Sequence, residues 1–178
     1  SLSGVVLNLV LMVLVSESLI HTHIATSHEY RGRLTFLAEH DPVTGLLNRH
    51  AFSSLLSELC RSHGGSTVHC GVFCLDLDHF SAVNSLLGTD EADKILQMVA
   101  ERLTIFSGDA NVVFRLGGDE FAFVDESAGS ELASAMLAES LLKLFARPFC
   151  IGEHEIYLTT SMGITFIEGN LEADEVLD

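Results

Sequence analysis

The residues of this chain best suited to chemistry are four carboxylates and two glycines. Gly117-Gly118-Asp119-Glu120 joins two short apolar stretches, and Asp76-Leu77-Asp78 closes a third. Adjacent carboxylates at a tight turn repel each other. A divalent cation relieves that repulsion, and the two glycines let a bulky ligand approach the backbone. Strand alternation puts Asp76 and Asp78 on one face. If their strand lies beside the hairpin, these groups converge into a magnesium site suited to phosphoryl transfer. Taken alone, Gly-Gly-Asp-Glu also reads as a solvated acidic turn.

Hydrophobic periodicity supplies the elements that would position these groups. Asp41-Pro42 marks a break, and Pro42 with Gly45 makes a turn. Asn48 can cap the next helix, whose Phe52, Leu55, Leu56 and Leu59 share a face, and Gly64-Gly65 ends it. A strand is predicted over 68–77 and helices over 80–87 and 90–106, with Ile95, Leu96, Val99 and Leu103 at helical spacing. Residues 112–116 and 121–124 flank the glycines as a hairpin. A helix over 129–146 and strands over 148–151 and 155–167 complete the pattern. The order βαββαβ predicts an α+β, ferredoxin-like or palm-type sheet with its helices on one face.

Composition narrows the function. The 178 residues carry 9 Lys+Arg against 25 Asp+Glu, a formal charge of -16. Binding nucleic acid through its phosphates needs clustered cations, so no nucleic-acid partner is expected. An acidic phosphate-binding protein would recruit its positive charge as metal ions. Four Cys do not make a disulfide scaffold, and Cys70 and Cys74 beside His69 read as strand packing rather than zinc ligands. From Leu2 to Val15 only Ser3, Gly4 and Asn8 interrupt an apolar run, and the first charge is Glu17. Residues 1–20 therefore read as the end of a transmembrane helix, with a buried core helix as the alternative. Arg31 and Arg33 favour a cytoplasmic location for the chain downstream of them. Residues 21–40 read as a linker helix with a weak heptad signal at Tyr30, Leu34 and Leu37. His21 and His28 lie two turns apart with His23 off their face, which argues against a metal site there.

Several stretches together resemble one family. Gly117–Phe121 spells GGDEF, and Asp41-Pro42-Val43-Thr44-Gly45-Leu46-Leu47-Asn48-Arg49 is similar to D-x-L-T-G-L-x-N-R. Leu75-Asp76-Leu77-Asp78-His79-Phe80 and Ser161-Met162-Gly163-Ile164-Thr165 resemble two strand motifs of the same family. Residues 41–178 thus resemble a GGDEF domain, the catalytic module of diguanylate cyclases, lacking its last helix and strand. The resemblance implies that two GTP molecules, one on each protomer of a homodimer, condense to cyclic di-GMP with release of two pyrophosphates. It implies Mg²⁺ or Mn²⁺ held by Asp76, Asp119, Glu120 and the Leu77 carbonyl, with Asp119 and Glu120 as the catalytic pair. Asn84 and Asp93 would read guanine, His79 would lie near the nucleotide, and Gly117 and Gly118 would offer N–H groups to phosphates. With the apolar run, it implies a bacterial inner-membrane location with the GGDEF domain in the cytoplasm. A phosphodiesterase domain beyond Asp178 is a further expectation.

Departures from the family pattern keep alternatives open. Ser81 stands where the family has Lys, and Gly88-Thr89-Asp90-Glu91-Ala92-Asp93 departs from G-H-x-x-G-D. The missing last helix usually carries a phosphate-binding Lys and Arg, so weak GTP binding is expected. Gly108-Asp109-Ala110-Asn111 replaces the product-inhibition motif R-x-x-D, so feedback at that site is not expected. Besides an active cyclase, two readings remain. One is a catalytically degenerate module that binds GTP or dimerises to regulate an adjoining domain. The other is a phosphoryl transferase with a different nucleotide product.

Overall fold

The computed structural model describes residues 36–62, 70–108, 112–125 and 131–167. The chain divides into two units, Ser1–Ala38 and Glu39–Asp178, and of the first only Phe36, Leu37 and Ala38 are described, in a helix. Among the described residues no helix is long and apolar enough to cross a membrane. That finding overturns the expected inner-membrane location. The apolar run behind that expectation, and the linker histidines, lie outside the described residues.

The second unit is built on a five-stranded sheet in the order β1-β3-β4-β2-β7. Its strands are β1 (Leu47–Asn48), β2 (Cys70–Leu77), β3 (Val112–Gly117), β4 (Glu120–Asp125) and β7 (Thr160–Ile167). A separate two-stranded sheet pairs β5 (Phe149–Ile151) with β6 (His154–Ile156). The helices are α1 (Arg49–Ser62), α2 (Phe80–Leu87), α3 (Thr89–Ser107) and α4 (Glu131–Leu144). Strands β3, β4, β2 and β7 are mutually antiparallel neighbours, the ferredoxin-like arrangement expected, and β1 adds a short parallel edge on β3.

Alternation along the strands divides the core in two. Phe73, Leu75, Leu77, Phe121 and Phe123 face α3 and α4 with Ile95, Val99, Leu103, Leu141 and Phe145. Val72, Ala122, Val124 and Phe114 face Phe52, Leu56 and Leu59 of α1. Each large apolar side chain buried this way stabilises the fold by about 1.5–3 kcal/mol. Helices therefore cover both faces, not one as expected. The apolar stripe of α1 needs a face of its own, because α3 and α4 fill the other.

The predicted strand over 155–167 is two strands. Between them Leu158 is buried, and the chain leaves the small sheet to join β2. The Asn48 cap forms: its Oδ1 accepts from the Ala51 N–H at 3.1 Å. The expected end of α1 at Gly64-Gly65 lies outside the described residues. Cys60, Cys70, Cys74 and Cys150 are free thiols.

Candidate metal and nucleotide site

The end of β2 meets the β3–β4 turn. Asp76 pairs directly with Glu120 across the antiparallel ladder, and the Leu77 N–H donates to the Asp119 carbonyl at 3.2 Å. Opposed residues of such a ladder project to one face, so Asp76 and Glu120 share the face that α1 partly covers. A cavity of about 620 Å³ opens there, lined by Arg49, Cys74, Asp76, Glu120 and Ser161 among others. Asp119 is half-buried in the turn itself. The carboxyl of Asp76 is raised above its ordinary value, by burial first and then by the charges of Asp119, Glu120 and Asp78. Burial, then Glu120, likewise raises the Cys74 thiol, which Arg49 partly offsets.

The turn owes its shape to its glycines and to a buried arginine. Gly117 has φ +136° and Gly118 φ +54°, conformations costly for residues with a Cβ. Arg115 is buried and clamps the Gly118 carbonyl with two donors, at 3.2 and 2.7 Å. Its third contact is Asp41 Oδ1 at 2.8 Å. Asp41 also accepts from the Thr44 N–H at 2.8 Å and the Thr44 hydroxyl at 2.7 Å. Burial raises the Asp41 carboxyl, but the bonds from Arg115 and Thr44 outweigh it and hold the net value low. The entry turn, Asp41–Gly45, and the glycine turn are thus one hydrogen-bonded unit.

A second arginine holds Glu120. Arg49 meets Glu120 Oε2 at 2.8 Å, and its Nε donates to the Leu116 carbonyl at 2.9 Å. Asp78 keeps the side of the sheet expected of it, bonded to Ser161, which stands opposite Asp76 on β7. It lies past the end of β2, and its carboxylate accepts from the hydroxyls of Thr159 at 2.6 Å and Ser161 at 2.7 Å. Those two bonds lower its pKa. Among the described residues no three His, Cys, Asp or Glu side chains are grouped closely enough to hold a metal ion by themselves.

The expected guanine readers lie elsewhere on the unit. Asn84 is exposed on α2 and Asp93 half-buried on α3, two helices joined at Gly88. His79, exposed just before α2, adopts φ +59°. None of the three lines the 620 Å³ cavity. Sequence reasoning placed Asp41 at a chain break, and Asp41 and Arg49 in a family motif, but gave neither a contact in the site, and it gave no role to Arg115 or Thr159. A buried Arg needs a carboxylate or carbonyl partner, and Arg115 inside an apolar strand carried that signal.

An antiparallel ferredoxin-like sheet, with Asp76 and Glu120 paired beside its central hairpin turn, is the palm-type fold expected from the sequence. The chain belongs to the GGDEF-domain family, whose model, "Diguanylate cyclase, GGDEF domain", matches residues 38–178. It is 37% identical over 132 residues to the signaling protein YkoW of Bacillus subtilis, covering 72% of this chain and 16% of the relative. It is 34% identical over 140 residues to the diguanylate cyclase DgcN of Escherichia coli, covering 78% and 34%. The chain thus spans about a third or less of the length of these two relatives. Its fold matches the coiled coil and GGDEF domain of DgcB from Caulobacter crescentus, solved in complex with c-di-GMP. That match has a TM-score of 0.77 and 22% identity, over 88% of this chain and 83% of the other.

Proposed function

We propose that this domain is a diguanylate cyclase that condenses two GTP into cyclic di-GMP with release of two pyrophosphates, acting as a homodimer with Mg²⁺ or Mn²⁺. The observation that carries the reading is the meeting of Asp76 with the Asp119–Glu120 turn, through the Asp76–Glu120 pair and the Leu77 N–H on the Asp119 carbonyl. The chemistry of the donors suits the ion: Asp76, Asp119, Glu120 and the Leu77 carbonyl are hard oxygen donors, and Asp76, raised by burial and then by its neighbouring carboxylates, gains from a divalent charge. When bound, the cation neutralises phosphate charge and lowers the pKa of a coordinated hydroxyl.

The chain's own groups do the rest. In each half-reaction a 3′-oxygen bonds to the other nucleotide's α-phosphorus, the bond to the β-phosphate breaks, and pyrophosphate leaves. The Asp119–Glu120 pair takes up the proton of the attacking hydroxyl. Gly117 and Gly118 offer main-chain N–H groups to the phosphates with no Cβ in the way. Asp93 accepts from guanine N1–H and N2–H₂ beside Asn84, a pattern adenine lacks. His79 lies beside the nucleotide.

A second reading is a GTP-binding or dimerising module without turnover that regulates an adjoining domain. One observation favours it: Arg49 is the single cation lining the cavity among the described residues, and exposed Ser81 supplies none. Incubation with GTP, ATP and both together, with products resolved by chromatography, separates the readings. Cyclic di-GMP from GTP alone supports the cyclase. A mixed product points to a different transferase, and GTP binding with no product supports the regulatory module.

A further inference from the structure

The run Thr159-Thr160-Ser161 grips the end of β2 through side chains as well as backbone. Thr160 Oγ1 donates to the Asp76 carbonyl at 2.8 Å, and the Asp78 N–H donates to the Thr159 carbonyl at 3.0 Å. The hydroxyls of Thr159 and Ser161 complete the grip on the two oxygens of the Asp78 carboxylate. From the opposite side, the Leu77 N–H is tied to Asp119. Leu77 therefore lies between two fixed peptide groups. Helix α2 begins directly afterwards with no side-chain cap, and His79 is the one non-glycine residue with positive φ among the described residues. Strained, uncapped backbone of this kind persists only where its surroundings over-determine it. The Asp78 clamp supplies that determination.

We propose that Asp78 is a positioning residue: clamped by Thr159 and Ser161, it sets the Leu77 carbonyl for a divalent cation beside Asp76. This rests on the metal reading of the site and assigns the second carboxylate of Asp76-Leu77-Asp78 a role other than ligand. Groups that orient metal ligands typically contribute about 10–100-fold in metal affinity.

The test measures Mn²⁺ binding to the chain by electron paramagnetic resonance without nucleotide, alongside the melting temperature. Asp78→Ala should weaken Mn²⁺ binding by about 10-fold or more. Ser161→Ala and Thr159→Val should each weaken it less, and Asp78→Asn, which keeps one acceptor oxygen, should restore part of the affinity. In the Asp78→Ala background the Thr159 and Ser161 variants should have no further effect. Wild-type affinity in Asp78→Ala overturns the proposal, as does an affinity loss across the variants that simply tracks their melting temperatures. Absence of Mn²⁺ binding by the unmutated chain overturns the metal reading and the proposal together, so the two failures are told apart.

Discussion

Asp76 and Glu120 stand directly opposite each other on β2 and β4, two carboxylates in one cross-strand pair. Like charges so placed destabilise a ladder by a few tenths of a kcal/mol to about 1 kcal/mol. Arg49 relieves part of that by pairing with Glu120, and a divalent cation would relieve the remainder. Mg²⁺ or Mn²⁺ should therefore raise the melting temperature, by the equivalent of about 2.7 kcal/mol at 100-fold over its Kd. Asp76→Asn should stabilise the metal-free chain slightly and abolish the metal-induced gain. An unchanged metal response in that variant removes Asp76 from the ligand set.

The pH dependence of stability should have two slopes of opposite sign. Asp41 is held below the ordinary value of 3.8, so its contribution is complete above about pH 3.8 and is lost as pH falls toward the folded-state value. Asp76 is raised above 3.8, so its charge disfavours the folded state at higher pH, and that penalty fades as pH falls through its folded-state value. Urea unfolding without metal, from about pH 3 to pH 6, should show Asp41→Asn flattening the acidic limb and Asp76→Asn the upper one. Both variants retracing the wild-type curve would contradict the assignment.

Arg115 ties the entry turn to the glycine turn from a buried position. Arg115→Ala would leave Asp41 charged, largely buried and without its ion-pair partner, at a cost of about 3–5 kcal/mol. Arg115→Lys keeps the charge but cannot reproduce the two-donor grip on the Gly118 carbonyl, so it should recover only part of the loss. Chemical denaturation of the two variants checks this. Equal stability for Lys and Arg would mean that charge alone matters there.

A Cβ built on Gly118 meets nothing within 4 Å, so its constraint is conformational. Gly118→Ala should cost about 1–2 kcal/mol from the left-handed backbone, and Gly118→Asn less, because Asn adopts that region more readily. Alanine and asparagine variants of equal stability in a urea titration would show that the turn does not hold this geometry in solution.

Much of the site was legible because it lies in short segments whose chemistry is local. Gly117 to Glu120 required a tight turn, Asn48 announced a helix start, and alternation through β2 and β4 fixed which side chains are core. What escaped was long-range. That Arg115 reaches Asp41, and Arg49 reaches Glu120, depends on β1 lying against β3, and a two-residue strand leaves no periodicity to read. The hold on Asp78 escaped for a related reason. Alternation set it on the face of Asp76, but could not show that hydroxyls more than eighty residues away claim its carboxylate. The break at 157–159 was missed because buried Leu158 continues the apolar pattern across it.

Joining two guanylates requires two nucleotide-loaded faces to meet, so turnover should depend on a symmetric pair of chains. A chain of formal charge -16 opposes that encounter through its long-range field. Metal and nucleotide bridging lowers the repulsion locally, and added salt screens it beyond about 10 Å at 0.1 M. Specific activity should therefore rise with chain concentration. At fixed free Mg²⁺ it should also rise with moderate salt, until screening weakens nucleotide binding itself. Fusing a dimeric coiled coil ahead of Asp41 should replace the concentration dependence with an effective concentration set by the linker. The assay monitors pyrophosphate release across a dilution series, with and without the fusion. Specific activity that stays constant on dilution and is unmoved by the fusion would mean that one chain suffices, and the homodimer would fall.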